Sequence, residues 1–193
     1  ASLRAEFLAG RGLASLVAVH EASGPKAWPA VLAYAKAIGA AWGQCLETTF
    51  RAETVTDQFG EQAVLCGGVP ALVRAAYATL CEAGYPPELA YFECVHELKL
   101  ITDLIYARGI AGMEAAISDT AAFGGAVTGE RLIGPELQAE LKATLTRIED
   151  GTFARDWLAE AAQDYPKLRS FRASSAANPL EEVGVLLRSH LGS

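Results

Sequence analysis

The sequence predicts a mainly α protein that begins with a short strand–helix–strand unit. Residues 1–50 contain two short segments rich in apolar and β-branched side chains, with a helical segment between them. Residues 51–193 carry apolar side chains at helical spacing almost throughout, interrupted by glycine and proline. We therefore divide the chain into a βαβ unit, residues 1–50, and a helical domain, residues 51–193.

The βαβ unit is predicted from three consecutive stretches. Residues 13–20 form an apolar run, which is typical of a buried strand in a parallel sheet. Residues 27–38 have the pattern of a helix that ends at Gly39, and residues 44–50 are predicted as the second strand. Two strands make too small a sheet for a stable doubly wound domain of its own.

Helix boundaries in the second segment follow from caps and breakers. Thr54 or Thr56 is a suitable N-cap for the first helix, and Gly67-Gly68 predicts its break. Proline at a first position and glycine after a last turn delimit the others. The further helices are predicted at about residues 70–83, 87–108, 113–123, 135–150, 153–163 and 179–191, with residues 124–134 as a loop.

Composition excludes several classes of protein. The net charge of −7 argues against nucleic acid as a partner, because duplex binding needs a basic face. The sequence contains no run of about 18 uninterrupted apolar residues, so we expect no membrane span, and no secretory signal is visible. The four cysteines form no C-x-x-C pair, so we expect buried free thiols and a cytoplasmic location rather than disulfides or zinc.

Two acidic pairs at four-residue spacing are the most informative feature. Asp57 with Glu61, and Glu93 with Glu97, stack like charges on one helix face, which is unfavourable unless a cation lies between them. A solvated face is the ordinary explanation of one such pair. Residues 89–105, however, form an apolar run that predicts a largely buried helix. Oxygen-only ligands suit a hard cation such as Mg²⁺.

Five segments of the chain together resemble one enzyme family. They are residues 57–68 (DxFGEQAVLCGG), 83–101 (AGYPPELAYFECVHELKLI), 117–121 (ISxTA), 151–157 (GxFARxW) and 178–184 (NPLExVG), where x is a position outside the match. In order and in content they are similar to the C-terminal domain of short-chain ketol-acid reductoisomerases. The first two segments are long and specific, and the resemblance covers the whole chain.

The resemblance implies a fold, a reaction and a set of site residues. The family performs a Mg²⁺-dependent alkyl migration in 2-aceto-2-hydroxy acids and then reduces the product with NADPH, in branched-chain amino-acid biosynthesis. Its helical domain is intertwined in a homodimer, with two metal ions between subunits. By motif match, Asp57 bridges both ions and Glu61 binds one, while Glu93 and Glu97 of the partner subunit bind the other. Ser118 would hydrogen-bond the substrate carboxylate.

Departures from the family pattern limit that expectation. No G-x-G-x-x-G turn occurs, and Gly10-Arg11-Gly12 precedes a strand instead of following one. The resemblance of residues 13–20 and 47–50 implies that residues 1–50 are the βαβ remnant of the family's Rossmann-like NADPH domain and begin near its end, without its catalytic His and Lys. His20 is not that histidine. Ala116 and Asp119 replace polar residues expected around Ser118. We therefore expect an isomerase of 2-hydroxy-3-keto acids such as 2-acetolactate, with NADPH not expected for this chain alone.

Three alternatives remain open. The chain could be a fragment of a bifunctional reductoisomerase, or a dimerisation module that has kept its acids without metal. It could also be a di-iron carboxylate protein, since Glu93-x-x-His96 is half of that motif. The second half is missing, because neither His20 nor His190 has a glutamate three residues before it.

Overall fold

A computed structural model describes residues 2–10, 12–40 and 45–191. It confirms a mainly α protein with a two-stranded parallel sheet near its start. The chain divides into two compact units, residues 1–60 and 61–193. Residue 44, where we predicted the second strand to begin, lies outside the described residues.

The N-terminal unit holds the predicted strand–helix–strand motif. Its elements are α1 (Ser2–Leu8), β1 (Ser15–Val17), α2 (Ala27–Ala37), β2 (Cys45–Glu47) and α3 (Phe50–Gly60). The strands are parallel, with Ser15 opposite Cys45, which confirms the βαβ connection. Each is shorter than predicted, and α1 was not predicted. Val17, Ala35 and Ala40 form its small core against Trp28.

The first long helix begins earlier than its predicted caps. Thr49 Oγ1 accepts a hydrogen bond from Ala52 N at 3.0 Å, so Thr49 caps α3 and the helix begins at Phe50. The expected caps at Thr54 and Thr56 are wrong. Thr56 instead donates its hydroxyl to Ala52 O at 2.8 Å, as a residue inside a helix does.

All secondary-structure elements of the C-terminal unit are helical in its described residues. Its elements are the π turn π1 (Glu61–Leu65), α4 (Gly68–Glu82), α5 (Pro87–Tyr91), the π turn π2 (Phe92–His96), α6 (Glu97–Glu114), α7 (Asp119–Leu132), α8 (Pro135–Glu149), α9 (Thr152–Ala162), α10 (Pro166–Ala176) and α11 (Pro179–Leu191). The predicted boundaries near residues 83, 87, 135, 151 and 179 agree with it. The π turns and α10 were not predicted.

One helix was placed wrongly by the sequence pattern. We expected a helix at 113–123 followed by a glycine-rich loop, but α6 continues to Glu114 and α7 runs from Asp119 to Leu132. Ser118 caps α7, with its Oγ accepting from Ala121 N at 3.2 Å. Gly124 lies inside α7 in open space. A strong cap therefore outweighs the unfavourable glycine propensity.

The core of the C-terminal unit is small. Tyr77, Ala90, Tyr91 and Leu180 are its buried members, contributed by α4, α5 and α11. Leu100 is 56% exposed and Tyr106 is 95% exposed. The prediction that residues 89–105 form a largely buried helix is therefore wrong for a single chain.

The accessible surface is large for the size of the chain. It amounts to 14292 Å², whereas a folded monomer of this mass exposes roughly 8,800 Å². The difference of about 5,500 Å² includes many apolar side chains. The helical stretch Phe50–Glu82 is long and apolar enough to cross a membrane by length and composition alone, and 6% of its most apolar window is buried. A single helix of this kind is weak evidence of a span, because helices of soluble proteins and signal sequences meet the same criteria of length and composition.

Two glycines in this unit make a matched pair for testing the fold. Gly109 interrupts α6 with φ 71° and ψ 174°, a conformation that is almost exclusive to glycine and costs other residues about 1–3 kcal/mol. We expect Gly109→Ala to destabilise the protein by about that amount. Gly124→Ala should raise the free energy of unfolding by about 0.5–1 kcal/mol, because alanine is favoured in a helix interior. Urea denaturation measures the free energy of unfolding of both variants. Equal effects of the two changes would contradict the non-helical conformation of Gly109.

Candidate functional site

The first acidic pair lies where α3 gives way to a π turn. Asp57 is in the last turn of α3, and Glu61 is the first residue of π1; both side chains are exposed. Cys66 N donates to Glu61 O at 2.7 Å, a bond between residues five apart that widens the helix at this point. A sequence pattern read at α-helical spacing does not detect this change.

The glycines after π1 are required by the close approach of backbone. A Cβ on Gly67 would lie 1.9 Å from Gln62 O, and one on Gly68 would lie 2.2 Å from Ala63 O. Only residues without a side chain fit where the carbonyl oxygens five positions earlier come so near. Gly67-Gly68 therefore permits the π turn at Glu61. The expected interruption is confirmed, since Cys66 and Gly67 form a turn before α4 begins at Gly68.

The second acidic pair also lies at a π turn. Glu93 is inside π2, and Glu97 is the first residue of α6; both are exposed. The His96 ring stacks on Phe92, with centroids 4.7 Å apart. Burial raises the pKa of the neighbouring Cys94 thiol, and the negative charge of Glu93 adds to that shift. π turns are rare in proteins as a whole but are often found at functional sites. Two π turns beside two acidic pairs therefore make these four acids candidate functional residues.

All four carboxylates are available for a ligand. Within the described part of the chain, none of them makes a side-chain hydrogen bond or an ion pair. Lys99, the nearest cation on the helix of the second pair, binds Asp103 at 2.5 Å instead. The like charges of each pair are therefore left uncompensated by the protein, as the metal hypothesis requires.

A single chain does not assemble the site by itself. Across residues 2–10, 12–40 and 45–191, no three acidic, histidine or cysteine side chains are grouped closely enough to hold a metal ion. The donor set nevertheless fits Mg²⁺, because it consists only of carboxylate oxygens that face solvent. Among the described residues, the carboxylates therefore lie as two separate pairs and not as one four-carboxylate cluster.

Ser118 occupies the N-terminus of α7. Its Oγ accepts from Ala121 N, and its side chain is exposed, so the hydroxyl proton remains available to an acceptor in solution. The cap gives Ser118 a structural role that the resemblance did not include. Its expected role toward a substrate carboxylate stays a prediction.

One open cavity lies away from these residues. Its volume is about 200 Å³, and it is lined by Phe153, Asp156, Trp157, Glu160, Lys167 and Leu168. None of the predicted site residues borders it. The acid pairs therefore belong to an open surface and not to this cavity.

Sequence reasoning missed two features that bear on the site. The first feature is the pair of π turns. Gly67-Gly68 is a sequence signal for π1, but we interpreted it only as a helix break. The hydrogen bond from Arg188 Nη1 to Tyr91 Oη, 2.8 Å long, joins residues 97 positions apart. No local pattern indicates a contact at that separation.

Comparison with known proteins agrees with this architecture. Residues 50–192 match the ketol-acid reductoisomerase C-terminal domain, and residues 1–43 match the NADPH-binding domain of acetohydroxy acid isomeroreductase. A solved NADH-preferring ketol-acid reductoisomerase from an uncultured archean is 43% identical, with a TM-score of 0.90. That match covers 97% of this chain and 57% of the other, so our chain spans little more than half of its length. Since the C-terminal family model covers most of the sequence, the chain belongs to the ketol-acid reductoisomerase family.

Proposed function

We propose that this chain is a Mg²⁺-dependent ketol-acid isomerase that performs the rearrangement step of its family. Its substrates would be 2-hydroxy-3-keto acids such as 2-acetolactate. The observation that carries the proposal is the set of four exposed carboxylates without partners, presented as two pairs at two π turns. An ordinary solvated face does not account for two such turns at two such pairs.

The metal-binding roles follow the motif match. Asp57 would bridge two ions and Glu61 would bind one, while Glu93 and Glu97 from a second copy would bind the other. When bound, two Mg²⁺ ions supply the Lewis acidity that polarises the substrate ketone and favours loss of the 2-hydroxyl proton. Four carboxylates balance two divalent cations, so the filled site does not repel an anionic substrate.

Ser118 is proposed to orient the substrate. Because its Oγ already accepts from Ala121 N, its hydroxyl proton can be donated outward to a carboxylate. The N-terminus of α7, a helix of 14 residues, favours a negative charge at the same place. Donor and helix end would fix the carboxylate of the substrate while the alkyl group migrates.

A homodimer is part of the proposal. The described residues of one chain group no three metal ligands, and the chain exposes roughly 5,500 Å² more surface than a monomer of its size. Obligate dimer interfaces bury about 2,000–5,000 Å², which is enough to cover most of this excess. Intertwined helices from two copies would bury the exposed faces of α4 and α6 and bring the pairs together. The small-molecule substrate is then the other partner. The cysteines of the described chain are unpaired, in agreement with a reducing cytoplasm, but the expected burial is wrong, because Cys66 is exposed and the others are half-buried.

A second candidate function is favoured by one observation. Residues 1–43 match an NADPH-binding domain, so these residues can be part of a complete NADPH-dependent reductoisomerase of branched-chain amino-acid biosynthesis. The two candidates share the acid pairs and differ in whether reduction follows rearrangement. Assays with and without NADPH separate them.

The first test follows the redox-neutral step directly. We expect the purified chain with Mg²⁺ to convert 2-acetolactate to its 2-keto-3-hydroxy isomer without NADPH, because an alkyl shift moves no net electrons. Methyl signals in proton NMR report the product. Glu97→Gln and chelation of Mg²⁺ should each abolish conversion. Bound Mg²⁺ without any conversion would reject the isomerase, and saturable NADPH oxidation would favour the second candidate.

Metal binding can be tested without turnover. A ligand that binds only the folded state adds about 2.7 kcal/mol at 100 times its dissociation constant, so millimolar Mg²⁺ should raise the melting temperature. Asp57→Asn should remove that shift, because both ions depend on the bridge. Glu130→Gln, an exposed acid of α7, is the matched control and should retain it. A melting curve that Mg²⁺ leaves unchanged in the wild type argues against the metal site.

The origin of the ligands can be tested by mixing two inactive variants. In a two-fold dimer with sites between subunits, Asp57→Asn and Glu93→Gln chains combine to form one doubly altered site and one intact site. Refolding them together at equal amounts should restore roughly a quarter of the wild-type activity. Each variant alone should be inactive but folded, because all four carboxylates are exposed. Failure of the mixture to regain activity, with heterodimers demonstrated, would place each site within one chain.

A further inference from the structure

Tyr91 is placed at the start of the turn that carries the second acidic pair. It is the last residue of α5, directly before π2, and precedes Glu93 by two positions. Its side chain is 5% exposed, in contrast to the exposed acids that follow it. Whatever holds the Tyr91 ring therefore also fixes where the π turn begins.

The Tyr91 ring lies close to the backbone of α11 at Gly184. A Cβ on Gly184 would lie 2.8 Å from Tyr91 Cε2 and 2.9 Å from Tyr91 Oη. It would also lie 2.8 Å from Arg188 Nη1. A side chain at position 184 would therefore force the Tyr91 ring and the Arg188 guanidinium to shift, so glycine at this position lets the ring lie directly against the backbone of α11.

A hydrogen bond fixes the ring at the same place. Arg188 Nη1 donates to Tyr91 Oη at 2.8 Å. Arg188 is four residues after Gly184 and therefore lies on the same face of α11. The same face packs Leu180, Val183 and Leu187 against the small core. Tyr91, Gly184 and Arg188, which we call the α11 latch, join α11 to the start of π2.

A π turn needs support of this kind. Its hydrogen-bond geometry is uncommon and it occurs as single turns inside α-helices. A π turn contains one residue more than an α-helical turn. If π2 changed to α-helical geometry, the helical segments before and after it would rotate by about 100° relative to one another. The pair Glu93 and Glu97 would then face a different direction relative to α5 and Tyr91, although the two acids would stay on one face and the helix itself would persist.

We propose that the α11 latch positions Glu93 and Glu97 for metal binding by holding π2 in register. This inference rests on the proposed function, because it takes those two acids as Mg²⁺ ligands. Tyr91, Gly184 and Arg188 are positioning residues, since none of them belongs to the predicted ligand set. The C-terminal helix α11 thereby supports the proposed metal site although it supplies none of the ligands.

The experiment uses the full chain and Tyr91→Phe, which keeps the ring and removes the hydroxyl. We expect Mg²⁺ binding, measured by calorimetry, to weaken about tenfold. Amide hydrogen exchange in metal-free protein should become faster at residues 92–97. Arg188→Met should have the same effects, and the double variant should be no weaker than either single one. Gly184→Ala, which displaces the ring, should weaken binding further if it folds.

The matched control is Arg147→Gln. This change removes an exposed ion pair elsewhere in the unit, in which Arg147 Nη2 lies 2.7 Å from Asp156 Oδ2. It should leave Mg²⁺ affinity and exchange at residues 92–97 unchanged. If Tyr91→Phe lowers the melting temperature but leaves affinity and local exchange as in Arg147→Gln, the contact is only structural and the proposal is overturned. If the wild type binds no Mg²⁺, the proposed function fails first and the latch proposal falls with it.

Discussion

The shortage of internal core is the constraint on which the rest of this structure depends. In the helical unit, one small cluster around Tyr77 and Tyr91 anchors α4, α5 and α11, while long faces of the helices remain exposed and apolar. Burial of apolar surface is the main favourable contribution to folding, so such faces need a cover. A second copy of the chain supplies it in our proposal, and the acid pairs are then part of the same surface. Folding, association and metal binding would thus use one region of the molecule.

Local signals explain why much of the fold could be predicted from sequence. Pro87, Pro135 and Pro179 each stand at the start of a helix, where a missing N–H has no consequence. Gly39 and Gly84 have positive φ just after a helix ends. These signals depend only on neighbouring residues, so they are readable without the tertiary structure. The acid pairs were also found in this way, since their spacing is local.

The remaining features depend on groups far apart or on the environment. An apolar stripe has the same sequence pattern whether it packs on its own core or on a second copy, and for this reason the helix at 89–105 was wrongly expected to be buried. The π turn before Gly67-Gly68 was missed because the close approach of Gln62 O and Ala63 O cannot be seen in a one-dimensional pattern. The contact of Arg188 with Tyr91 joins distant parts of the chain. The roles of the four carboxylates came from the family resemblance, and spacing alone left a solvated face open.

A site shared between copies, as we propose, would have a thermodynamic consequence. Without metal, two pairs of like charges would face one another across the proposed interface and oppose association. With metal, that repulsion becomes attraction, so Mg²⁺ binding and dimer formation strengthen each other by the same free energy. A mutation in α11 that lets π2 lose its register would then weaken the dimer only when Mg²⁺ is present, because the apolar faces of α4 and α6 are unaffected. This dependence on metal separates a positioning role of the C-terminal helix from a general contribution to folding.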